Sequence, residues 1–140
     1  EDFLVATPFG FAPVSKTVAT DESTASTTYA DLATSGPTAT LTTKTSVLIA
    51  LSCNAYTSSV TLNANNFMSV AVSGATTIAS ADGNGPSAGN PGGSSLTVQS
   101  LCDVFLLEGL TPGLNTFKAQ YRVTAGTAHF RFRHITVWPL

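Results

Sequence analysis

Charge is scarce in this chain. Six Lys and Arg and eight Asp and Glu make up 10% of its 140 residues, against about 25% in an ordinary soluble domain. The net charge of −2 excludes a global pull toward nucleic acid or an anionic membrane. No run of 18 or more apolar residues occurs, so no helix long enough to cross a bilayer is expected, and no membrane partner. There is no Gly-Lys-Ser/Thr loop, no HExxH and no CxxC, which leaves nucleotide hydrolysis and zinc chemistry without their usual residues. Two histidines, His129 and His134, lie at no ligand spacing from a cysteine. The eight acids sit mostly in turns or near the N-terminus; Asp103 and Glu108, five residues apart in one strand, fall on opposite faces and cannot pair as acid and base. The expectation is a protein that is not an enzyme, with no cofactor and no metal.

What the chain has instead is Thr, Ser, Asn and Gly. Thr is β-branched and stiff at χ1, so a Thr-rich, Lys- and Glu-poor chain favours strands. No helical periodicity extends over ten residues. Thr116–Thr124 alternates cleanly: Phe117, Ala119, Tyr121 and Val123 point one way, and Thr116, Lys118, Gln120 and Arg122 the other, as in a half-buried antiparallel strand. Ser46–Cys53 is apolar on both sides and reads as a central, covered strand. Further strands are expected over Ser15–Asp21, Ser26–Leu32, Thr38–Thr43, Asn66–Ser73, Thr76–Ala81, Leu96–Leu107 and Ala128–Trp138, with Asn54–Asn66 a loop or weak edge strand. Eight or nine short strands indicate an all-β, antiparallel β-sandwich, jelly-roll-like, with an immunoglobulin or fibronectin III-like sandwich as the alternative, kept open by the turn Leu110-Thr111-Pro112-Gly113. At this length one domain is expected, over residues 15–140.

Residues 1–14 do not alternate. Phe3, Leu4, Val5, Phe9 and Phe11 are interrupted by Pro8, Gly10 and Pro13, which reads as an extended apolar arm. Such an arm packs on its own domain or docks on a neighbouring subunit, where main-chain hydrogen bonds and aromatic anchors can extend a sheet edge. The opening Glu1-Asp2, without Met or a basic region, reads as a processed or trimmed start and not as a signal peptide.

The last strand changes phase. Phe130 and Phe132 share one side with Arg131 and Arg133 opposite, after which Ile135 and Val137 fall on the arginine side. A β-bulge near Arg133-His134 would return the apolar residues to the core. Acids load the first part of the chain (Asp21, Glu22, Asp31) and bases the last (Lys118, Arg122, Arg131, Arg133). Either the two ends meet and neutralise or a charged face serves subunit contact. The candidate contact residues are Phe3, Leu4, Val5, Phe9, Phe11, Arg131, Arg133, Trp138 and Leu140. Cys53 and Cys102 read as two buried thiols or as a cross-sheet disulfide. Aromatic residues Trp138, Tyr56 and Tyr29, with loops 54–66 and 81–95, are candidates for a glycan platform.

Several segments resemble small structural proteins of tailed bacteriophages: Ser26-Thr27-Thr28-Tyr29-Ala30-Asp31-Leu32, Gly36-Pro37-Thr38-Ala39-Thr40-Leu41, Val70-Ala71-Val72-Ser73-Gly74-Ala75-Thr76, Leu110-Thr111-Pro112-Gly113-Leu114-Asn115-Thr116-Phe117 and Arg133-His134-Ile135-Thr136-Val137-Trp138-Pro139-Leu140. The resemblance spans most of residues 17–140. It implies a sandwich displayed on the virion surface as a capsid decoration or cement protein, or as a tail or fibre component. It implies a homo-oligomer, commonly a trimer, partnered by other virion proteins such as the major capsid protein. It brings no catalytic residue. A surface-filament subunit with a donated N-terminal strand is a further alternative.

Overall fold

The computed structural model describes residues 12–58, 64–89 and 97–140. Alternation governs their path. In β4 (Ser46–Thr57) and β8 (Gly113–Val123) inward residues are buried and outward ones half-exposed almost without exception, because the side-chain period of two assigns each residue to core or solvent. The other strands are β1 (Val14–Val18), β2 (Glu22–Thr24), β3 (Thr38–Thr43), β5 (Asn65–Gly74), β6 (Ser87–Gly89), β7 (Gln99–Glu108) and β9 (Ala128–Pro139). One sheet, here sheet A, has the order β1-β9-β4-β7, with β2 also pairing β9. The other, sheet B, has the order β3-β8-β5-β6. All pairings are antiparallel.

Of the strand pairings, only β5–β6 joins sequence neighbours. From β2 to β3, β3 to β4, β4 to β5, β6 to β7, β7 to β8 and β8 to β9 the chain crosses from one sheet to the other. That crossing pattern is a jelly roll, and it retires the immunoglobulin-like alternative, whose sheets contain hairpin neighbours. Between the sheets lies one hydrophobic cluster that includes Val47, Ile49, Leu51, Met68, Val70, Phe117, Tyr121, Phe130, Ile135 and Val137. The first strand begins at Val14, inside the expected arm; residues 1–11 of that arm, Phe3, Leu4, Val5, Phe9 and Phe11 included, lie outside the described residues.

Two expected strands are not strands. Segment 26–37 instead runs beside β8 where β3 has ended: Val123 N–H donates to Ser26 O, Ala30 and Tyr121 exchange both hydrogen bonds, and Ala119 N–H donates to Pro37 O. The stretch 76–81 touches β5 only through the bridge of Ile78 to Val72. Residues 54–57, expected in a loop or weak edge strand, continue β4, a central strand of sheet A.

The phase slip in β9 is real, and it lies one residue earlier than expected. Ser52 pairs His134 and Asn54 pairs Arg131, so Phe132 and Arg133 together oppose Cys53. Phe132 takes a left-handed backbone, φ 48°, which is uncommon for a bulky residue. The bulge sends Phe132 outward, 56% exposed, and Arg133 inward, fully buried. The expectation that Phe132 shares the core with Phe130 is corrected, and Arg133 is removed from the contact candidates.

The buried guanidinium is held by a polar pocket. Arg133 Nη2 donates to Glu22 Oε2 at 2.8 Å, and Nη1 to the carbonyls of Thr34 and Gly36 at 3.2 and 3.3 Å. Its guanidinium carbon lies 5.4 Å from the Tyr121 ring centroid, and the Tyr121 hydroxyl donates to Gly36 O at 3.0 Å. Gly36 has φ +93°, and a Cβ there would stand 2.8 Å from the Thr38 nitrogen, so glycine is required to bring this carbonyl inward. Burial pushes the Glu22 carboxyl up, but hydrogen bonds from Thr34 and the charge of Arg133 outweigh it and hold the group below its ordinary value. Glu22 thus fastens β2, β9 and segment 34–37 together.

Candidate functional site

The two outer faces of the sandwich differ in how far the chain has completed them. On sheet B, three outward side chains of β8, Lys118, Gln120 and Arg122, are engaged by crossing segments. Lys118 Nζ lies 2.8 Å from Asp31 Oδ2, and Gln120 Nε2 donates to Asp31 Oδ1 at 3.1 Å. Arg122 grips Asp82 through two nitrogens, with Nε at 2.9 Å. The Tyr29 hydroxyl donates to the same carboxylate at 2.9 Å, and the Arg122 guanidinium carbon lies 4.0 Å from the Phe67 ring centroid. Hydrogen bonds from Arg122 and Tyr29 hold Asp82 below the ordinary carboxylate value. At Asp31 burial acts upward, and the hydrogen bonds of Lys118 and Gln120 prevail downward. Burial and the bond to Asp82 push Tyr29 up to about 12. Of the four bases on β8 and β9, Lys118 and Arg133 pair with acids from the first part of the chain, Asp31 and Glu22, and Arg122 with Asp82. These pairings neutralise the charge asymmetry within one chain.

The outer face of sheet A divides along its strands. At the end where β4 begins, the cross-strand rows are Leu106–Leu48–Trp138 and Val104–Ala50–Thr136. Side chains directly opposite in such rows have Cβ atoms about 4.5–5.5 Å apart. Val104 is 55% exposed and Leu106 50%; Leu48, Ala50 and Trp138 are partly covered. Large exposed side chains grouped across three strands form a contiguous apolar patch, which is informative where a single exposed Leu is not. Leu140 lies at this same end, its N–H 3.3 Å from Ser46 O.

Toward the other end the face turns polar and aromatic. The next rows are Cys102–Ser52–His134 and Ser100–Asn54–Arg131. Beyond them Tyr56 and His129 are stacked, ring centroids 4.5 Å apart and planes 8° from parallel. Asp21 accepts from the Tyr56 hydroxyl at 2.9 Å and lies 3.4 Å from His129 Nδ1. Burial and the Asp21 carboxylate raise the Tyr56 hydroxyl above its ordinary value.

The sequence-based candidates therefore separate. Trp138 and Leu140 fall at the apolar end of sheet A, Arg131 at the polar end, and Arg133 inside. Val104, Leu106 and Phe132 were missed. The first two carried a signal: they are out of phase with the inward Leu101, Phe105 and Leu107. The cysteines are not bonded, which corrects the disulfide alternative; they lie on neighbouring strands one register apart, so Cys53 faces the core and Cys102 faces solvent. Of the two-buried-thiols reading, only Cys53 holds; burial pushes its thiol up to about 12, so it is a protonated packing group and not a nucleophile. Among the described residues no group of three or more His, Cys, Asp or Glu could hold a metal ion. Tyr29 is committed to Asp82 on sheet B and does not join Tyr56 or Trp138 on sheet A. Of the loops 54–66 and 81–95, residues 59–63 and 90–96 lie outside the described residues.

No family model matches the sequence, and no curated protein does. The fold is similar to that of Eiger TNF from S. frugiperda, with a TM-score of 0.60 and 10% identity over 91% of each chain. It is also similar to a chain in the structure of infectious bursal disease virus Gx strain, with a TM-score of 0.56 and 15% identity. That match covers 91% of this chain and 33% of the viral one, so the chain spans about a third of that protein's length. At these identities the likeness is one of fold: a jelly roll of the kind found in TNF and in a viral protein.

Proposed function

We propose that the chain is a non-enzymatic structural subunit of a virion, a capsid decoration or cement protein of the tailed-bacteriophage type, that works through contacts between subunits. The observation that carries this reading is the apolar patch of Leu48, Ala50, Val104, Leu106 and Trp138 on a sheet face that no described segment covers. Fully burying a Leu or Val side chain contributes roughly 1.5–3 kcal/mol in transfer terms, so joining two such patches offsets part of the cost of association. The occupant we assign to it is a second copy of the chain, with a trimer as the expected order and residues 1–14 as a further contact segment. The resemblance to phage structural proteins and the viral fold neighbour support placement on a virion surface, with the major capsid protein as the further partner.

The filament alternative, in which a donated strand extends a sheet edge, is less favoured. Both edges of sheet A carry a charge in mid-strand, Lys16 on β1 and the inward-facing Asp103 on β7, and such charges protect edges from strand addition. A glycan-binding or tail-fibre role is compatible with the other half of the face. The test is the mass of the full chain in solution by light scattering. A defined oligomer that becomes a folded monomer on Leu106→Glu with Val104→Lys supports the reading; a wild-type monomer at all concentrations, or a double variant that assembles normally, overturns it.

A further inference from the structure

Arg131 is the exception among the bases of β8 and β9. Lys118, Arg122 and Arg133 each have a carboxylate. Arg131 has none among the described residues, and its Nε, like that of Arg133, is buried without a hydrogen-bond partner, which leaves its terminal nitrogens as the donors a ligand can reach. Leaving such a donor unmatched is costly. Its guanidinium carbon lies 5.7 Å from the Phe132 ring centroid and 6.0 Å from that of Tyr56, so the cation stands between an exposed ring and the Tyr56–His129 stack. Phe132 reaches its outward position only through a left-handed backbone that L side chains rarely adopt. Strain of this kind gathers where a side chain must be displayed.

We propose that Arg131, Phe132, Tyr56, His129 and Asn54 form a binding site for a carboxylate-bearing sugar. A guanidinium with open donors matches a carboxylate through paired, charge-assisted hydrogen bonds. The rings of Phe132 and Tyr56 offer apolar surface to the carbon face of a pyranose. Asn54 spends its carbonyl oxygen on the Ser100 hydroxyl at 3.2 Å, which keeps its amide N–H groups for hydroxyls. His129 engages Asp21 through Nδ1, and Nε2 faces no described partner. Asp21 also decides against polyanions: nucleic acid and heavily sulfated glycans are drawn by clustered cations, whereas here one base stands beside one acid. A single carboxylate on a hydroxyl-rich ring fits that balance. The site is separated from the apolar patch by the six residues from Leu48 to Asn54, about 20 Å of strand, and does not depend on how that patch is used.

The experiment is titration of the purified full chain with 3′-sialyllactose, digalacturonate and uncharged lactose, read by ligand-observed NMR and calorimetry. The acidic sugars saturate, and lactose binds at least about tenfold more weakly. Arg131→Gln reduces acidic-sugar affinity about tenfold or more without changing the oligomeric state. Phe132→Gly weakens binding while the melting temperature holds or rises, since glycine accepts this backbone and a lost strand residue would lower it. Equal binding of lactose, no saturable binding, affinity indifferent to both substitutions, or variants that alter assembly and not sugar affinity each overturn the proposal.

Discussion

The two outer faces of this sandwich are built from similar strands and reach opposite ends. Sheet B's face is largely closed by its own chain: segment 26–37 and the stretch leading to Asn84 supply Asp31, Tyr29 and Asp82 to Lys118, Gln120 and Arg122 of β8. Among the described residues, sheet A's face receives Asp21 at one end and keeps Val104 and Leu106 exposed at the other. Exposure alone does not separate them, because Leu114 on sheet B is 61% exposed, more than either. What separates them is company. Leu114 has Thr42 opposite it, whereas Leu106 continues into Leu48 and Trp138. An interaction surface is therefore recognised by contiguity across strands, not by any one residue's accessibility.

The largest expected effect lies beneath the open face. Glu22→Ala leaves the Arg133 guanidinium buried without its carboxylate and should destabilise the fold by about 3–5 kcal/mol, measured by urea denaturation; a loss below about 1 kcal/mol would show that the clamp does not hold β2 to β9. Next in size is the contrast between the faces. Leu106→Glu should raise the dissociation constant of self-association at least about tenfold, while Leu114→Glu leaves it unchanged, and each should alter monomer stability by no more than about 0.5 kcal/mol. Equal effects at the two positions would erase the distinction drawn here.

Acid should act through the closed face and the clamp together. Glu22, Asp31 and Asp82 are all held below their ordinary values of 4.5, 3.8 and 3.8. A carboxyl depressed in the folded state adds stability that is fully present above its unfolded value and lost as pH falls through its folded one. The urea midpoint should stay level from pH 7 to about 5 and fall below about 4, and Glu22→Gln should flatten part of that fall. Smaller still is Lys118→Ala, worth under about 1 kcal/mol and fading with added salt, as for other exposed ion pairs. Finally, one thiol per native chain, that of Cys102, should react with a thiol reagent, and its reaction should slow on assembly, since Cys102 lies one row from Val104. Labelling independent of concentration would place the contact elsewhere.

Much of the architecture could be read from the chain because its interior strands obey one rule. The alternation of Phe117, Ala119, Tyr121 and Val123 fixes the face of β8, and the doubly apolar Ser46–Cys53 marks the centre of sheet A. The slip in β9 was visible as a change of phase. Its occupant was not: hydropathy assigns arginine outward and phenylalanine inward, and only the distant Glu22, Thr34 and Gly36, brought together by the fold, reverse that at Arg133 and Phe132. Ser26–Leu32 and Thr76–Ala81 have strand-like composition, yet each runs beside a sheet edge and makes few bonds to it, a tertiary choice that local propensity does not encode. The candidate site was half legible. Trp138 and Arg131 were singled out, but the patch and the ring cluster exist only once β7, β4 and β9 are aligned.

Val14 lies opposite Val137, so the described chain enters and leaves by the same pole of the molecule. β9 runs from that pole through its 12 residues, about 40 Å, to the Tyr56–His129 stack. If the apolar patch is the footing, as proposed, the aromatic end stands at the far pole, held at a fixed distance from the contact. Length of reach is then a property of strand count and rise, and lengthening β4 and β9 in step would raise the tip without disturbing the footing.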